Sequence, residues 1–327
     1  MRHGFRGIIT AGYILLRSSG YVPPTQARRT SAWRASALLG IPFPLHYLPL
    51  PRQWNRWLAQ RMSLTPEETR HHPSALRNRG FIATELKKWL GEDTQGAEKF
   101  MLEIASGTGC HAEAYAQHLQ ACWTYQPTEY DEARIPDIVA TIDEGKHRNI
   151  RPPRVLDVCS DPSTWPRPVE GGAEGGAAGT RLWDAVVCCN MIHISPQECT
   201  DGLLKGSAAG LKMGGHLFVY GPFALNGLLI PDSNKSFDAG LKARSGGTWG
   251  IRDVAWVTGL AYEYGLELTA MTLMPANNFF VVFTKVRDAT ALNTSGGDDE
   301  SKARVAELVA EVVIPAREAM LASLPSK

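Results

Sequence analysis

Apolar residues between positions 78 and 285 follow two alternating periods. Short, nearly continuous apolar runs of strand length alternate with segments whose apolar residues recur every three or four positions. The runs predict strands at residues 100–105, 122–126, 155–158, 183–189, 216–220, 266–273 and 279–284. The helical spacing predicts helices at residues 78–90, 110–119, 131–142, 196–211 and 253–264.

This order of elements indicates an α/β protein. Apolar strands separated by helices are typical of a parallel sheet that is covered by helices on both faces. The last two predicted strands are joined by only a few residues, so we expect them to pair antiparallel. The pattern therefore predicts a seven-stranded, mostly parallel sheet.

Two polar segments interrupt or follow this alternation. Residues 171–179 are rich in glycine, which predicts a flexible surface insertion. Residues 295–304 form a polar linker into a last helix with an apolar stripe. That stripe either docks on the body of the protein or binds a partner, for example a second copy. We therefore divide the chain into residues 1–70, 71–287 and 288–327.

The first 70 residues have an unusual composition. They contain many arginine and serine residues, no lysine, and no acidic residue before Glu67. This composition is typical of a mitochondrial transit peptide, and a disordered leader or a start chosen too far upstream explains it equally well. We expect a cytoplasmic protein, with the mitochondrial matrix as the alternative.

Composition, charge and cysteine content exclude several classes of protein. A formal net charge of +1 gives no overall attraction to nucleic acid or to an anionic membrane. No apolar run reaches the roughly 20 residues of a membrane-spanning helix. The six cysteines are scattered and lack the spacing of zinc ligands. We expect reduced, mostly buried thiols and no metal.

The stretch LEIASGTGCHAEA joins the first predicted strand to the helix that follows it. Gly107, Gly109 and Ala112 fit the dinucleotide fingerprint G-x-G-x-x-G/A. Glycines at such a turn let the backbone approach a ligand, and the helix N-terminus favours its polar groups. NAD and S-adenosylmethionine both use this geometry, so the glycines alone do not discriminate between them.

Three carboxylates lie in or after successive strands. Glu103 lies inside the first strand, where a buried carboxylate is costly without a partner such as the ammonium group of a methionine. Glu129 ends the second strand, where an acid can hold ribose hydroxyls. Asp157 ends the third strand and can accept from an adenine amino group. Together they favour S-adenosylmethionine over NAD.

These residues resemble a known pattern. LEIASGTG, the strand WDAVVCCN and the turn LKMGG look like a class I S-adenosylmethionine-dependent methyltransferase. The methyltransferase-like protein twenty-six family, formerly classed as a domain of unknown function, is similar over about residues 77–285. The similar stretches are, in order, RNRGFIATEL, LEIASGTGCHAEAYA, YQPTEYD, LDV, CNMIHIS, YGPFALNG, SNKSFDAGLKAR, WGIRD and MPANN. The resemblance implies a Rossmann-like methyltransferase fold but no particular substrate.

The expected cofactor is S-adenosylmethionine. The residues expected to contact it are Glu103, Ala105, Gly107, Gly109, Glu129, Asp157, Val158 and Asn190. Two positions depart mildly from the family. Glu129 stands where the family more often has Asp, and Cys110 where it often has Gln, which puts any side-chain contact from position 110 in doubt.

Candidate catalytic residues follow the fourth and fifth strands. Methyl transfer needs a base only if the acceptor must lose a proton. His193 could be that base, Asn190 could position the acceptor, and Tyr220 could donate a hydrogen bond. Structural packing remains the alternative for His193 and Tyr220.

Candidate substrate residues lie in the long segment between Phe223 and Asp253 and between the last two strands. A segment of this length is usually a lid or a binding element, and an arginine in it could clamp a carboxylate or phosphate. The candidates are Phe223, Asn226, Arg244, Trp249, Arg252, Asn277 and Asn278. They predict a small, polar acceptor, which would be anionic if an arginine clamps it.

Two other functions stay open at this point. A protein that binds S-adenosylmethionine or S-adenosylhomocysteine without catalysis fits a site that lacks an unambiguous base. An NAD(P)-dependent oxidoreductase fits the glycine spacing alone. Methylation of nucleic acid is disfavoured because residues 71–287 lack a basic stripe.

Overall fold

The computed structural model describes residues 70–91, 97–119, 121–168, 181–289 and 297–324. Apart from Arg70, the predicted leader lies outside the described residues, as does the glycine-rich insertion at 171–179. Residues 70–76 belong to one compact unit, and residues 77–327 form a separate one.

A seven-stranded sheet lies at the centre of this unit. Its strands are β1 (Lys99–Ile104), β2 (Trp123–Glu129), β3 (Arg154–Val155), β4 (Trp183–Cys189), β5 (Leu211–Gly221), β8 (Leu266–Met274) and β9 (Asn278–Lys285). The order is β3-β2-β1-β4-β5-β9-β8, and β9 runs antiparallel to the other six strands. The predicted sheet is confirmed, including the antiparallel pairing of the last two strands.

Helices cover both faces of the sheet. They are α1 (Pro73–Leu90), α2 (Cys110–His118), α3 (Ile135–Gly145), α4 (Gln197–Gly210), α5 (Asp232–Ser245) and α6 (Val254–Glu263). Two helices, α7 (Gly297–Leu308) and α8 (Ile314–Ser323), follow near the C-terminus with the π-helical turn Val309–Val313 between them.

The alternation of side chains along each strand divides the core into two apolar clusters. Met101, Val187 and Phe280 belong to the cluster that contains α1 and α2. Leu102 and Val219 belong to the other cluster, which contains α4, α6 and the C-terminal helices. Burial on both faces explains why the strands are nearly continuous apolar runs.

Several element boundaries differ from the prediction. β5 begins at Leu211 instead of residue 216, and α7 begins within the predicted linker at residues 295–304. Two further differences have local reasons. β3 contains only Arg154 and Val155, because the carbonyl of Asp157 already accepts hydrogen bonds from the N–H and hydroxyl of Ser160 in a turn. The helix predicted from residue 131 starts as the 3-10 turn Glu132–Arg134, capped by the Asp131 carboxylate. α3 then follows, with a proline in its first turn.

The long segment after β5 contains regular structure that the pattern did not predict. β6 (Phe223–Ala224) pairs in parallel with β7 (Arg252–Asp253), and α5 lies between them. The Asp253 carboxylate accepts hydrogen bonds from the N–H groups of Ala255 and Gly227, so it caps α6 and also fixes the turn after β6. Residues 223–253 are therefore a folded segment at the edge of the sheet, which we call the excursion.

The C-terminal helices pack on the body of the unit. Leu308, Val313 and Met320 are buried in the cluster that also contains residues of α6 and β8. The predicted apolar stripe therefore docks on the body of the protein, which is the first of the two predicted alternatives. Among the described residues, no helix is both long enough and apolar enough to cross a membrane.

Candidate functional site

The strand order reverses between β1 and β4. In open parallel sheets, ligands bind beyond the carboxyl ends of the strands at such a switch point. The loops after β1, β2 and β4 meet at this edge, because β1 pairs with both β2 and β4. The predicted cofactor residues lie on these loops and on the loop after β3.

The turn after β1 has an unusual backbone. Ala105, Gly107 and Gly109 all have positive φ angles, of 55°, 62° and 79°. A side chain at Gly107 would meet no described atom within 4 Å, so the turn borders open space there. At Gly109, a Cβ atom would instead lie 3.3 Å from the Ile138 side chain. Gly109 therefore allows α2 to pack on α3, while Gly107 faces the space for a ligand.

Glu129 connects the ends of β1 and β2. Its carboxylate accepts hydrogen bonds from the backbone N–H of Gly107 at 2.7 Å and of Asp131 at 3.2 Å. A carboxylate offers about four acceptor sites, so two such bonds leave room for a ribose diol. The side chain is buried at the switch point, where the prediction placed a ribose partner.

Glu103 is a buried carboxylate that lacks a complete set of partners. It is 3% exposed, and its Oε2 atom accepts no hydrogen bond from the described residues. Burial raises its pKa from 4.5 to about 7; hydrogen bonding to Ser106 offsets part of this rise and the charge of Glu129 adds to it. A cation placed here would supply the missing partner, which fits the ammonium group of S-adenosylmethionine.

Asp157 and Val158 lie on the loop after β3. Asp157 is exposed, and its Oδ1 atom accepts a hydrogen bond from the N–H of Cys159 at 2.9 Å. Val158 is buried in the core cluster beside α4. The carboxylate is thus held in a defined turn that is open to solvent.

Asn190 and His193 follow β4. Asn190 has a φ of 60°, and its N–H donates to the carbonyl of Tyr220 at 2.8 Å. His193 is 4% exposed, and a methyl group added at Gly221 would lie 3.2 Å from its Nδ1 atom. Nδ1 has no hydrogen-bond partner among the described residues. Burial and then the charge of Arg252 lower the His193 pKa from 6.5 to about 4, so the ring is neutral at pH 7.

Tyr220 forms a polar cluster with Asn78 and Asn278, which the sequence did not predict to meet. Burial raises its pKa to about 12, and hydrogen bonding to Asn78 and Asn278 offsets part of this rise. The Asn78 Oδ1 atom lies 2.9 Å from Nε2 of His111, at the start of α2. α1 therefore contributes a polar group to the same edge of the sheet.

Asn78, His111 and Phe237 are the site residues that the sequence reasoning missed. Asn78 lies within the stretch RNRGFIATEL that carried the resemblance, which was the only available signal. Phe237, on α5, packs edge-to-face against the His193 ring at a centroid distance of 5.7 Å. It is 37% exposed, so it borders both the histidine and solvent.

Arg252, predicted to bind substrate, contacts the protein backbone in the structure. Its guanidinium donates hydrogen bonds to the carbonyls of Ile192 at 3.2 Å, Ser195 at 2.8 Å and Thr248 at 3.3 Å. These contacts tie the loop after β4 to the end of the excursion. These bonds use three of the five guanidinium N–H donors and give Arg252 a structural role, while its contact with a substrate anion stays a prediction.

The other predicted substrate residues differ in burial. Phe223 is fully buried in the core, Arg244 is exposed on α5, and Trp249 is partly buried. Asn226 is exposed in the turn that Asp253 holds, with a φ of 53°. Their contact with a substrate stays a prediction.

Asn277 and Asn278 join β8 to β9. The carbonyl of Asn277 accepts from the buried side chain of Asn234 at 3.2 Å, and its own side chain donates to Ser233 at 3.3 Å. The start of α5 is thus fastened to this joint, while Asn278 faces Tyr220. Asn278, rather than Asn277, lies with the polar cluster.

A groove of about 770 Å³ lies elsewhere, between α6 and the C-terminal helices. Small and apolar residues such as Gly259, Ala306 and Val309 line it. None of the lining residues belongs to the loops after β1 to β4, so the groove is separate from the switch point. Within the described ranges, no group of three or more His, Cys, Asp and Glu side chains could hold a metal ion.

The fold matches solved methyltransferase structures at low sequence identity. The mitomycin 7-O-methyltransferase MmcR is 16% identical with a TM-score of 0.51, over 80% of this chain and 62% of that chain. The S-adenosylmethionine-dependent methyltransferase SibL is 16% identical with a TM-score of 0.50, over 85% of this chain and 69% of that chain. An O-methyltransferase family protein from Burkholderia thailandensis is 14% identical with a TM-score of 0.50, over 81% of this chain and 75% of that chain. These likenesses show the Rossmann-like methyltransferase fold.

A family profile also matches the sequence. It is described as "Protein of unknown function (DUF938)" and covers residues 69–285. The matched range is more than half of the chain and contains every strand of the seven-stranded sheet. The chain therefore belongs to the DUF938 family of proteins of unknown function.

Proposed function

We propose that this protein is an S-adenosylmethionine-dependent methyltransferase that acts on a small polar acceptor. The observation that carries the proposal is the buried Glu103 carboxylate, whose Oε2 atom lacks a partner among the described residues beside the open turn at Gly107. A dinucleotide gives no reason for a carboxylate at this position, whereas an amino acid ammonium does. The fold and the narrower resemblance to the methyltransferase-like protein twenty-six family agree with it.

The residues present fit the proposed cofactor. Glu103 would pair with its ammonium group, Glu129 with its ribose hydroxyls, and Asp157 with its adenine amino group. Ala105 and Gly107 would let the backbone approach it closely. Bound there, S-adenosylmethionine supplies a methyl group that its sulfonium already activates for displacement.

The remaining work of this chain is to position the acceptor and exclude water. Asn190 and the Tyr220 cluster offer polar groups at the edge where the acceptor would lie. His193 offers a neutral ring nitrogen that can accept a hydrogen bond from a hydroxyl or amine of the acceptor. Because Arg252 donates to three carbonyl groups, it gives weaker support for an anionic acceptor. We therefore propose a polar acceptor that presents an N–H or O–H group.

A second candidate is a protein that binds the cofactor without catalysis. The lowered pKa of His193 favours it, since a group with a pKa of about 4 is a weak base at neutral pH. Binding with no turnover across a broad screen of hydroxyl and amine acceptors would support this candidate.

Calorimetric titration of the full chain with S-adenosylmethionine, S-adenosylhomocysteine and NAD tests the proposal. We expect the two sulfur nucleosides to bind and NAD to bind at least about tenfold more weakly. Binding of NAD alone would refute the proposal.

A further inference from the structure

We propose that Cys159 and Cys199 form an oxidation site, whose closure to a disulfide moves the turn that carries Asp157. The two residues are 40 positions apart in sequence, and their Sγ atoms lie 3.7 Å apart. Neither Cys159 nor Cys199 is in a disulfide. This pair combines proximity with access, because Cys159 is exposed and Cys199 is partly buried.

The reaction needs a low-molecular-weight disulfide such as oxidised glutathione as the oxidant. One cysteine thiolate attacks that disulfide and releases one glutathione, leaving a mixed disulfide on the protein. The second cysteine then attacks the mixed disulfide, the intramolecular bond forms, and a second glutathione leaves. Two thiols of the protein are oxidised and one glutathione disulfide is reduced to two thiols.

Closure must move at least one of the two cysteines. A disulfide holds its sulfur atoms about 2 Å apart, well below the present distance. The backbones already touch, because a Cβ atom at Gly202 on α4 would lie 2.3 Å from the carbonyl oxygen of Val158. Because Cys199 lies on the hydrogen-bonded helix α4 and Cys159 in an exposed turn, we infer that the turn takes up the movement.

The turn matters because Cys159 holds Asp157. The backbone N–H of Cys159 donates to the Asp157 carboxylate at 2.9 Å. Moving Cys159 therefore disturbs the carboxylate that we assign to the adenine amino group, a step that rests on the proposed function. We expect oxidation to weaken S-adenosylhomocysteine binding about fivefold, the effect of roughly one lost hydrogen bond.

The test uses the full chain, reduced and then treated with oxidised glutathione at pH 8.5. The alkaline pH is chosen because burial and the contact with Cys199 raise the pKa of the Cys159 thiol to about 12, which makes its thiolate scarce. Intact mass should fall by two hydrogen atoms, and a non-reducing peptide map should link residues 159 and 199. Cys199→Ser should prevent the link, and Cys122→Ser, a cysteine outside the pair, should retain it.

Two further readouts separate this proposal from the proposed function. Hydrogen exchange of the Cys159 amide should accelerate on oxidation in the wild type and not in Cys199→Ser, whatever the protein binds. S-adenosylhomocysteine titration should show the loss of affinity in the same samples. Absence of the link, or a link with unchanged exchange and affinity, overturns the oxidation site. Failure of the reduced protein to bind S-adenosylhomocysteine overturns the proposed function instead, while mass and exchange still decide the site.

Discussion

The carboxylate of Glu129 accepts a hydrogen bond from the backbone N–H of Gly107 at 2.7 Å. This bond joins the end of β2 to the glycine turn after β1. It places an acidic group beside the open space that Gly107 borders, and it stabilises a turn in which the positive φ angle of Ala105 costs conformational energy. The same carboxylate thus supports the turn and faces the space proposed for the cofactor.

Replacing Glu129 should therefore weaken cofactor binding strongly. We expect Glu129→Ala to lower the affinity for S-adenosylhomocysteine at least about tenfold, because it removes charged hydrogen bonds to the ribose and to the turn. Asp131→Ala is the matched control, since the Asp131 carboxylate caps a 3-10 turn and forms an exposed ion pair with Arg134 at 3.7 Å. Calorimetry measures both variants. An equal loss in Asp131→Ala would contradict the role of Glu129.

Glu103 should limit the stability of the ligand-free protein at alkaline pH. Its pKa in the folded state, about 7, lies above the ordinary 4.5, so its contribution to stability is present below pH 4.5 and is lost as pH rises through 7. The shift corresponds to at most about 3 kcal/mol. Glu103→Gln should therefore unfold at higher denaturant concentration than wild type at pH 8, with little difference at pH 4.5.

Chemical denaturation at the two pH values measures this effect. Glu132→Gln, at an exposed position, should stay within about 0.5 kcal/mol of wild type at both. A Glu103→Gln variant that is no more stable than wild type at pH 8 would show that the carboxylate is not destabilising.

The two arginines of the excursion should behave differently. Arg252→Met leaves two partly buried carbonyl groups and one exposed carbonyl group without their donor, so we expect it to lower the free energy of unfolding by about 1–3 kcal/mol. Arg244→Met, at an exposed position on α5, should change it by less than about 0.5 kcal/mol. Thermal and urea unfolding compare them. Equal stability of the two variants would argue against the structural role of Arg252.

His193 should remain neutral through the physiological pH range. Its lowered pKa of about 4 means that its contribution to stability is present above pH 6.5 and is lost as pH falls through 4. A histidine NMR titration, with His193→Gln to assign the resonance, should find its midpoint near pH 4. A midpoint near 6.5 would mean that the ring is solvated and could act as an ordinary base.

Much of the fold could be predicted from the sequence because its signals are local. The strand at Trp183–Cys189 was predicted with its observed bounds, since a continuous apolar run marks a strand that is buried on both faces. α5 was missed because its exposed, polar residues, such as those around Lys242 and Arg244, give a weak apolar period.

The site was less predictable than the fold. Glu103 and Glu129 could be singled out because a carboxylate within or at the end of an apolar strand is unusual. The structural contacts of Arg252 and the contribution of Asn78 depend on which distant segments meet in space. Residue type alone does not distinguish an arginine that binds carbonyls from one that binds a substrate.

Proton release during S-adenosylhomocysteine binding tests the central claim most directly. The ammonium group of the ligand should stabilise the ionised form of Glu103 and lower its pKa, so binding at pH 7 should release protons to the buffer. Calorimetry in buffers of different ionisation enthalpy measures this release. We predict release in the wild type and none in Glu103→Gln. Tight binding by wild type without proton release would contradict the placement of the ammonium group at Glu103.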